Sequence, residues 1–158
     1  MQDFRILAIN PGSTSTKIAV FLNTDPVFLK NIRHTPEDLT PYPKIADQFH
    51  FRKEIIIQQL QEADINPEQI GVIMGRGGLL KPIPSGVYEV NEIMIHDLNF
   101  SPLGEHASNL GGLIAHDIAL EIPKAKAFIA DPIVVDELEE IARIAGHPLF
   151  QRRSVFHA

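Results

Sequence analysis

The sequence predicts an α/β domain built on a mixed β-sheet with helices packed against it. Three observations carry that expectation. Three β-type runs come first, at residues 4–9, 16–22 and 27–33. Helix-periodic and strand-like segments then alternate, giving the order β-β-β-α-β-α-β-α. The polar, glycine-containing turn lies between two strands, whereas a dinucleotide-binding fold opens β-α-β and starts a helix with its glycine-rich turn.

The elements follow in order. Residues 4–9 form a short apolar run that stops at Asn10-Pro11-Gly12-Ser13-Thr14-Ser15, a cluster of turn formers. Residues 16–22 read as the returning arm of a hairpin. Asp25-Pro26 is the expected turn before a third strand at 27–33. From Ile45 through Phe49, Ile56 and Leu60, apolar residues recur at helical spacing, with Lys53, Glu54, Gln58, Gln59 and Glu62 on the other side. Residues 70–74 are a compact apolar run, as in a buried parallel strand, ending at Gly75-Arg76-Gly77-Gly78. Residues 87–90 read as a small extended piece inside a loop-rich insertion. A helix is expected over 105–122 despite Gly111-Gly112, a strand over 126–130, and a last helix over 134–145, stopped by Gly146.

Composition excludes several classes. The chain has 158 residues, 44% hydrophobic and 22% charged, which suffices for one domain with a real core. Its formal charge is −6 and it carries no basic tract, so neither nucleic acid nor an anionic membrane surface is an expected partner. There is no cysteine, hence no disulfide framework and no thiolate metal site, which fits a cytoplasmic protein. No apolar stretch approaches the ~20 residues of a membrane span.

The segment Asn10-Pro11-Gly12-Ser13-Thr14-Ser15-Thr16-Lys17 gathers four hydroxyls, an amide, a glycine and a lysine. Successive backbone N–H groups in a tight turn form an anion-binding concavity, and the hydroxyls and Lys17 add donors and charge. The spacing is not that of a P-loop. Two readings stay open on composition: a phosphate cradle, or an ordinary Ser/Thr-rich hairpin turn.

The run from Ile9 to Lys17 resembles the first phosphate loop of the acetate and butyrate kinases, relatives of sugar kinases, Hsp70 and actin. Three further segments agree in order. Gly75-Arg76-Gly77-Gly78-Leu79-Leu80-Lys81-Pro82-Ile83 is closer to butyrate than to acetate kinases. Glu105-His106-Ala107-Ser108-Asn109-Leu110-Gly111-Gly112 is similar to another butyrate-kinase block. Asp131-Pro132 with Val134-Val135-Asp136-Glu137-Leu138, then Ser154-Val155-Phe156-His157-Ala158, complete the series. The resemblance implies a ribonuclease-H-like domain, the amino-terminal actin-like domain of an acetokinase over residues 1–158. It also implies a second domain outside this chain, so that the isolated chain is expected to lack turnover. The implied reaction is reversible phosphorylation of butyrate, or a similar short-chain carboxylate, by ATP and magnesium to an acyl phosphate. Acetate or propionate kinase, and a non-catalytic phosphate- or nucleotide-binding module, are the alternatives. A homodimer or higher oligomer is expected at full length.

A carboxylate is already ionised near neutrality and needs no general base. The difficulty is bringing anions together, so cations, amide and hydroxyl donors and a metal should do the work. By resemblance, Asn10 holds the phosphoryl group, Ser13 and Ser15 line its path, and Lys17 adds charge; Gly12 allows the backbone to approach the phosphate closely. Arg76, flanked by glycines at a strand end, suits a carboxylate or phosphate, with Gly77 and Gly78 beside it. It stands where acetate kinases have a histidine, while Ile73 stands where they have an arginine. Asp131 corresponds to an active-site aspartate near the magnesium ion or the catalytic arginine, and His157 to the family's active-site histidine. Outside the resemblance, Lys17 also reads as a solvated edge lysine, Arg76 as a turn arginine, Asp131 as an Asp-Pro turn residue and His157 as part of a chain end. His106 and Asn109 read equally as site residues or as helix caps.

Overall fold

The computed structural model describes residues 4–100, 103–154 and 156. Strands β1 (Arg5–Pro11), β2 (Ser15–Leu22) and β3 (Asp25–Arg33) form an antiparallel meander. A single-turn helix α1 (Pro36–Leu39) and helix α2 (Phe49–Glu62) lead to β4 (Val72–Arg76), which pairs parallel to β1. A short strand β5 (Val87–Glu89), helices α3 (Glu92–Phe100) and α4 (Asn109–Glu121), and strand β6 (Lys126–Ala130) follow. The sheet runs β3-β2-β1-β4-β6-β5, with β4 and β6 parallel and β5 antiparallel at the edge.

Alternation along each strand decides what the sheet buries. Leu7 and Ile9, Ile18 and Val20, Ile73, and Ala127 and Ile129 all sit in the core. They meet Leu110, Ile114 and Ile118 of α4, which lies across β4 and β6, and Ile56 and Leu60 of α2. The intervening residues Ala8, Ala19 and Met74 are only half-buried and line a cleft on the opposite face.

Gly75 and Gly111 let α4 approach that closely. A Cβ on Gly75 would sit 2.2 Å from the carbonyl oxygen of Gly111, and one on Gly111 would sit 2.4 Å from that of Arg76. The glycine pair in α4 therefore costs helix propensity but permits backbone contact between helix and strand. Lys53 of α2 joins α4 through Asp117 at 2.6 Å and Glu121 at 2.5 Å.

Four expectations change. The helix expected over 134–145 is absent: only a 3-10 turn, Glu140–Arg143, forms there. Ile133, Val134 and Val135 are buried in non-helical backbone, and Asp136 spends its carboxylate on the Arg143 guanidinium at 2.8 Å and on the Leu138 amide. The turn before β3 is at Asn23, with φ of 58°, so β3 begins at Asp25 and includes Pro26. Helix α3 occupies part of the expected loop; the Asn91 side chain accepts from the Met94 amide at its start. Helix α4 begins at Asn109, four residues after its expected start.

Candidate active site

Register brings the polar residues into one row. Asn10 pairs with Lys17, and Lys17 with Asn31, across the meander. Ile9 pairs with Gly75, so Asn10 and Arg76 are neighbours one residue further along the parallel strands, and Arg76 pairs with Ala130. Adjacent strands lie about 4.8 Å apart, so Lys17, Asn10 and Arg76 succeed one another over about 10 Å. These positions are the carboxyl ends of the parallel strands, where open α/β sheets hold ligands.

Asn10, Lys17, Arg76 and Asp131 line one cleft of about 650 Å³, together with Ala8, Met74 and Lys30. Three cations and one carboxylate face it, against the acidic balance of the whole chain. Asp131 has a φ of 36°, an uncommon conformation for a residue with a side chain. It is held there by two bonds to Gly86: its amide donates to the Gly86 carbonyl at 3.0 Å, and its carboxylate accepts the Gly86 amide at 2.9 Å. An uncommon backbone conformation of this kind persists where the surrounding contacts over-determine it. Among the described residues no group of three His, Asp or Glu could hold a metal. A lone carboxylate here fits magnesium, which takes most of its ligands from phosphate and water.

The loop beside the cleft is tightly tied. The Gly12 amide donates to the Ser15 carbonyl at 2.7 Å, and the His34 amide donates to the Thr14 carbonyl at 2.9 Å. Ser13 is exposed and Ser15 half-buried, next to the Asn10–Lys17 pair. Gly77 and Gly78 are buried: Cβ atoms there would lie 2.5 Å from Pro132 and 2.5 Å from the Asn109 carboxamide oxygen. The Gly77 amide donates to the Ala130 carbonyl. Both glycines thus let the chain after Arg76 pass between α4 and the segment after Asp131.

Asn109 is 4% exposed and accepts the Leu79 amide at 2.8 Å, fastening that same passage. His106 accepts the Ser108 amide at Nδ1 and lies 6.2 Å, ring to ring, from Phe156. It is not among the residues lining the main cleft. His157 lies outside the described residues.

One group beneath the loop escaped the sequence reading. Arg52 of α2 is 0% exposed. It donates to the Gln48 carboxamide at 3.0 and 2.8 Å, to the Thr16 hydroxyl at 2.9 Å, and to the carbonyls of Ser15 and Ser13 at 3.1 and 3.3 Å. Burial lowers its pKa to about 10, so it stays charged at neutral pH. Thr16 Oγ1 also meets Nε2 of buried His34 at 2.8 Å. The available signal was spacing: Gln48, Arg52, Ile56 and Leu60 recur every four residues, placing a charge on the buried stripe.

Comparison with known proteins agrees with this architecture. The fold is that of the acetate kinases: the Porphyromonas gingivalis enzyme superposes with a TM-score of 0.59 at 16% identity, over 92% of this chain and 41% of that one. The Entamoeba histolytica enzyme gives 0.53 at 18% identity, over 91% and 39%. In sequence the relatives are butyrate kinases. A probable butyrate kinase of Bacteroides thetaiotaomicron is 54% identical over 154 residues, 98% of this chain. Butyrate kinase 1 of Clostridium acetobutylicum is 51% identical over 155 residues, also 98%. The resemblance carried by the four motif blocks thus holds along nearly the whole chain, which spans 43% of the length of these relatives. No protein-family model matches.

Proposed function

We propose that this chain supplies the phosphate- and carboxylate-binding half of a butyrate kinase, which transfers the γ-phosphoryl group of ATP reversibly to a short-chain carboxylate. The convergence of Asn10, Lys17, Arg76 and Asp131 on one cleft carries the reading. The kinship with butyrate kinases supports butyrate over acetate or propionate.

The attacking carboxylate and the phosphoryl group are both anionic, and the row of donors answers that repulsion. Arg76 grips a carboxylate or phosphoryl oxygen through its planar fork. The Asn10 carboxamide holds a second phosphoryl oxygen, Lys17 neutralises charge beside it, and the Ser13 and Ser15 hydroxyls line the path. Asp131 would hold magnesium, which supplies Lewis-acid neutralisation of phosphate charge when bound. Gly12, Gly77 and Gly78 keep side chains out of the way. His157 is assigned the family's role of steadying the transferring group.

The site draws on the remaining length of the relatives for adenine binding and closure, so the isolated chain binds acyl phosphate without turnover. In the assembled enzyme the setting is the cytoplasm. Isothermal titration of the 158-residue chain with butyryl phosphate tests the reading. Saturable binding is expected, weakened at least about tenfold in Arg76→Ala, the loss of a charge-assisted pair. No heat from the parent chain, or equal affinity in the variant, would overturn it.

A further inference from the structure

Arg52 is charged, completely buried, and engaged only with neutral acceptors; among the described residues it makes no ion pair. A guanidinium in that position is costly unless something repays its desolvation. Its partners show what it organises. Two of its bonds go to carbonyls at the turn between β1 and β2, that of Ser13 in the loop and that of Ser15 at the start of β2. The intervening Thr14 carbonyl is taken by the His34 amide, and the Ser15 carbonyl also accepts the Gly12 amide. All three carbonyls are therefore drawn to partners within the protein. The amides of Ser13 and Thr14 have no such partner among the described residues. A turn whose carbonyls are pinned while successive N–H groups stay available is the arrangement that receives an anion. The guanidinium behind it adds a fixed positive charge that bulk solvent does not screen.

We propose that Arg52 is a positioning residue of the phosphate loop: it holds the Ser13 and Ser15 carbonyls inward, so that the loop presents its amides to a phosphate dianion, and its charge finds its counter-ion only when that phosphate binds. The proposal rests on the reading of the Asn10–Lys17 segment as a phosphate site. It adds a residue from α2 that never touches the ligand, together with Gln48, whose carboxamide aims the fork.

Inorganic phosphate titrated into ¹⁵N-labelled 158-residue chain tests it. In the parent, the Ser13 and Thr14 amides shift and saturate, and the Arg52 Nε–H signal moves with the same midpoint. Arg52→Gln weakens phosphate by about tenfold, as expected for one charge-assisted group. Its amide spectrum over β4 and α4 should match the parent, and Arg52→Lys should regain part of the loss by restoring charge. Gln48→Met keeps the arginine but frees its fork, and weakens phosphate by about threefold. It serves also where Arg52→Gln does not fold. A folded Arg52→Gln or Gln48→Met that binds phosphate as the parent does overturns the role of Arg52 and leaves the phosphate site standing. A parent with no shift at Ser13 or Thr14 overturns both. Loss in Arg52→Gln with no recovery in Arg52→Lys, and a motionless Nε–H signal, reduces Arg52 to a structural residue and overturns the proposal.

Discussion

His34 shows how one buried side chain constrains the chemistry around it. Arg52 can only donate, so Thr16 Oγ1 accepts from it, and the hydroxyl proton is then available to His34 Nε2. The other ring nitrogen, Nδ1, is buried and unpartnered among the described residues. Burial, then the neighbouring Arg52 charge, pushes the pKa of His34 below its usual 6.5. The folded state therefore favours the neutral ring, and the unfolded chain binds more protons below pH 6.5. Stability from this group is complete above about pH 6.5 and is lost as pH falls toward the lowered folded pKa. Urea midpoints at pH 7.5 and pH 5.5 should differ more in the parent than in His34→Gln, and equal differences would remove His34 as the cause. Thr16→Val deprives both Arg52 and His34 of a partner and should cost about 2 kcal/mol of stability in the same measurement. At this scale the site was half legible. Asn10 and Lys17 were named through the family resemblance of their loop, and Arg76 and Asp131 also as polar residues at strand ends. Arg52 and Gln48 were not, because polar residues within an amphipathic pattern read as surface until burial is known, and His34 was not because it lies in the connection between β3 and α1.

Between elements, close packing explains what periodicity could and could not reveal. Strands β1, β2, β4 and β6 were readable because their apolar runs end at turn formers. Helix α4 was readable in spite of its glycines, and those glycines turn out to be the contact itself. Gly75→Ala should be strongly destabilising, since a methyl group 2.2 Å from a backbone oxygen must displace helix or strand. Overpacking of this kind costs about 3 kcal/mol, measurable as a fall in the urea midpoint. A variant within 0.5 kcal/mol of the parent would mean that α4 does not lie against β4 as described. Arg76 follows Gly75 directly, so displacement of this strand end should weaken butyryl phosphate as well. The segment 134–145 failed the opposite way. Leu138, Ile141 and Ala145 carry helical spacing, yet Ile141 is 75% exposed. Pairing of Asp136 with Arg143 folds the segment back on itself, and Ser154 Oγ fastens the Val135 carbonyl. Periodicity records which residues are apolar, not whether a packing surface awaits them.

Across the molecule, charge sets the terms on which an anion enters. A net charge of −6 repels anions such as the phosphate ligands of the proposed function at a distance, while Lys17, Lys30 and Arg76 outnumber Asp131 within the cleft. The attraction is local, and salt should screen its exposed part. Butyryl phosphate affinity should therefore fall by about threefold to tenfold between 50 and 300 mM salt, as the Debye length shrinks from about 14 to about 6 Å. Lys17 is exposed on β2, so Lys17→Ala should lower affinity about threefold at low salt and flatten that dependence. The urea midpoint should stay unchanged, because an exposed lysine with no ion pair among the described residues contributes little to folding. Arg76→Ala should differ, losing affinity at every salt concentration through its directional hydrogen bonds. Parallel salt dependences for parent and Lys17→Ala would place the ligand away from the row that Asn10, Lys17 and Arg76 define.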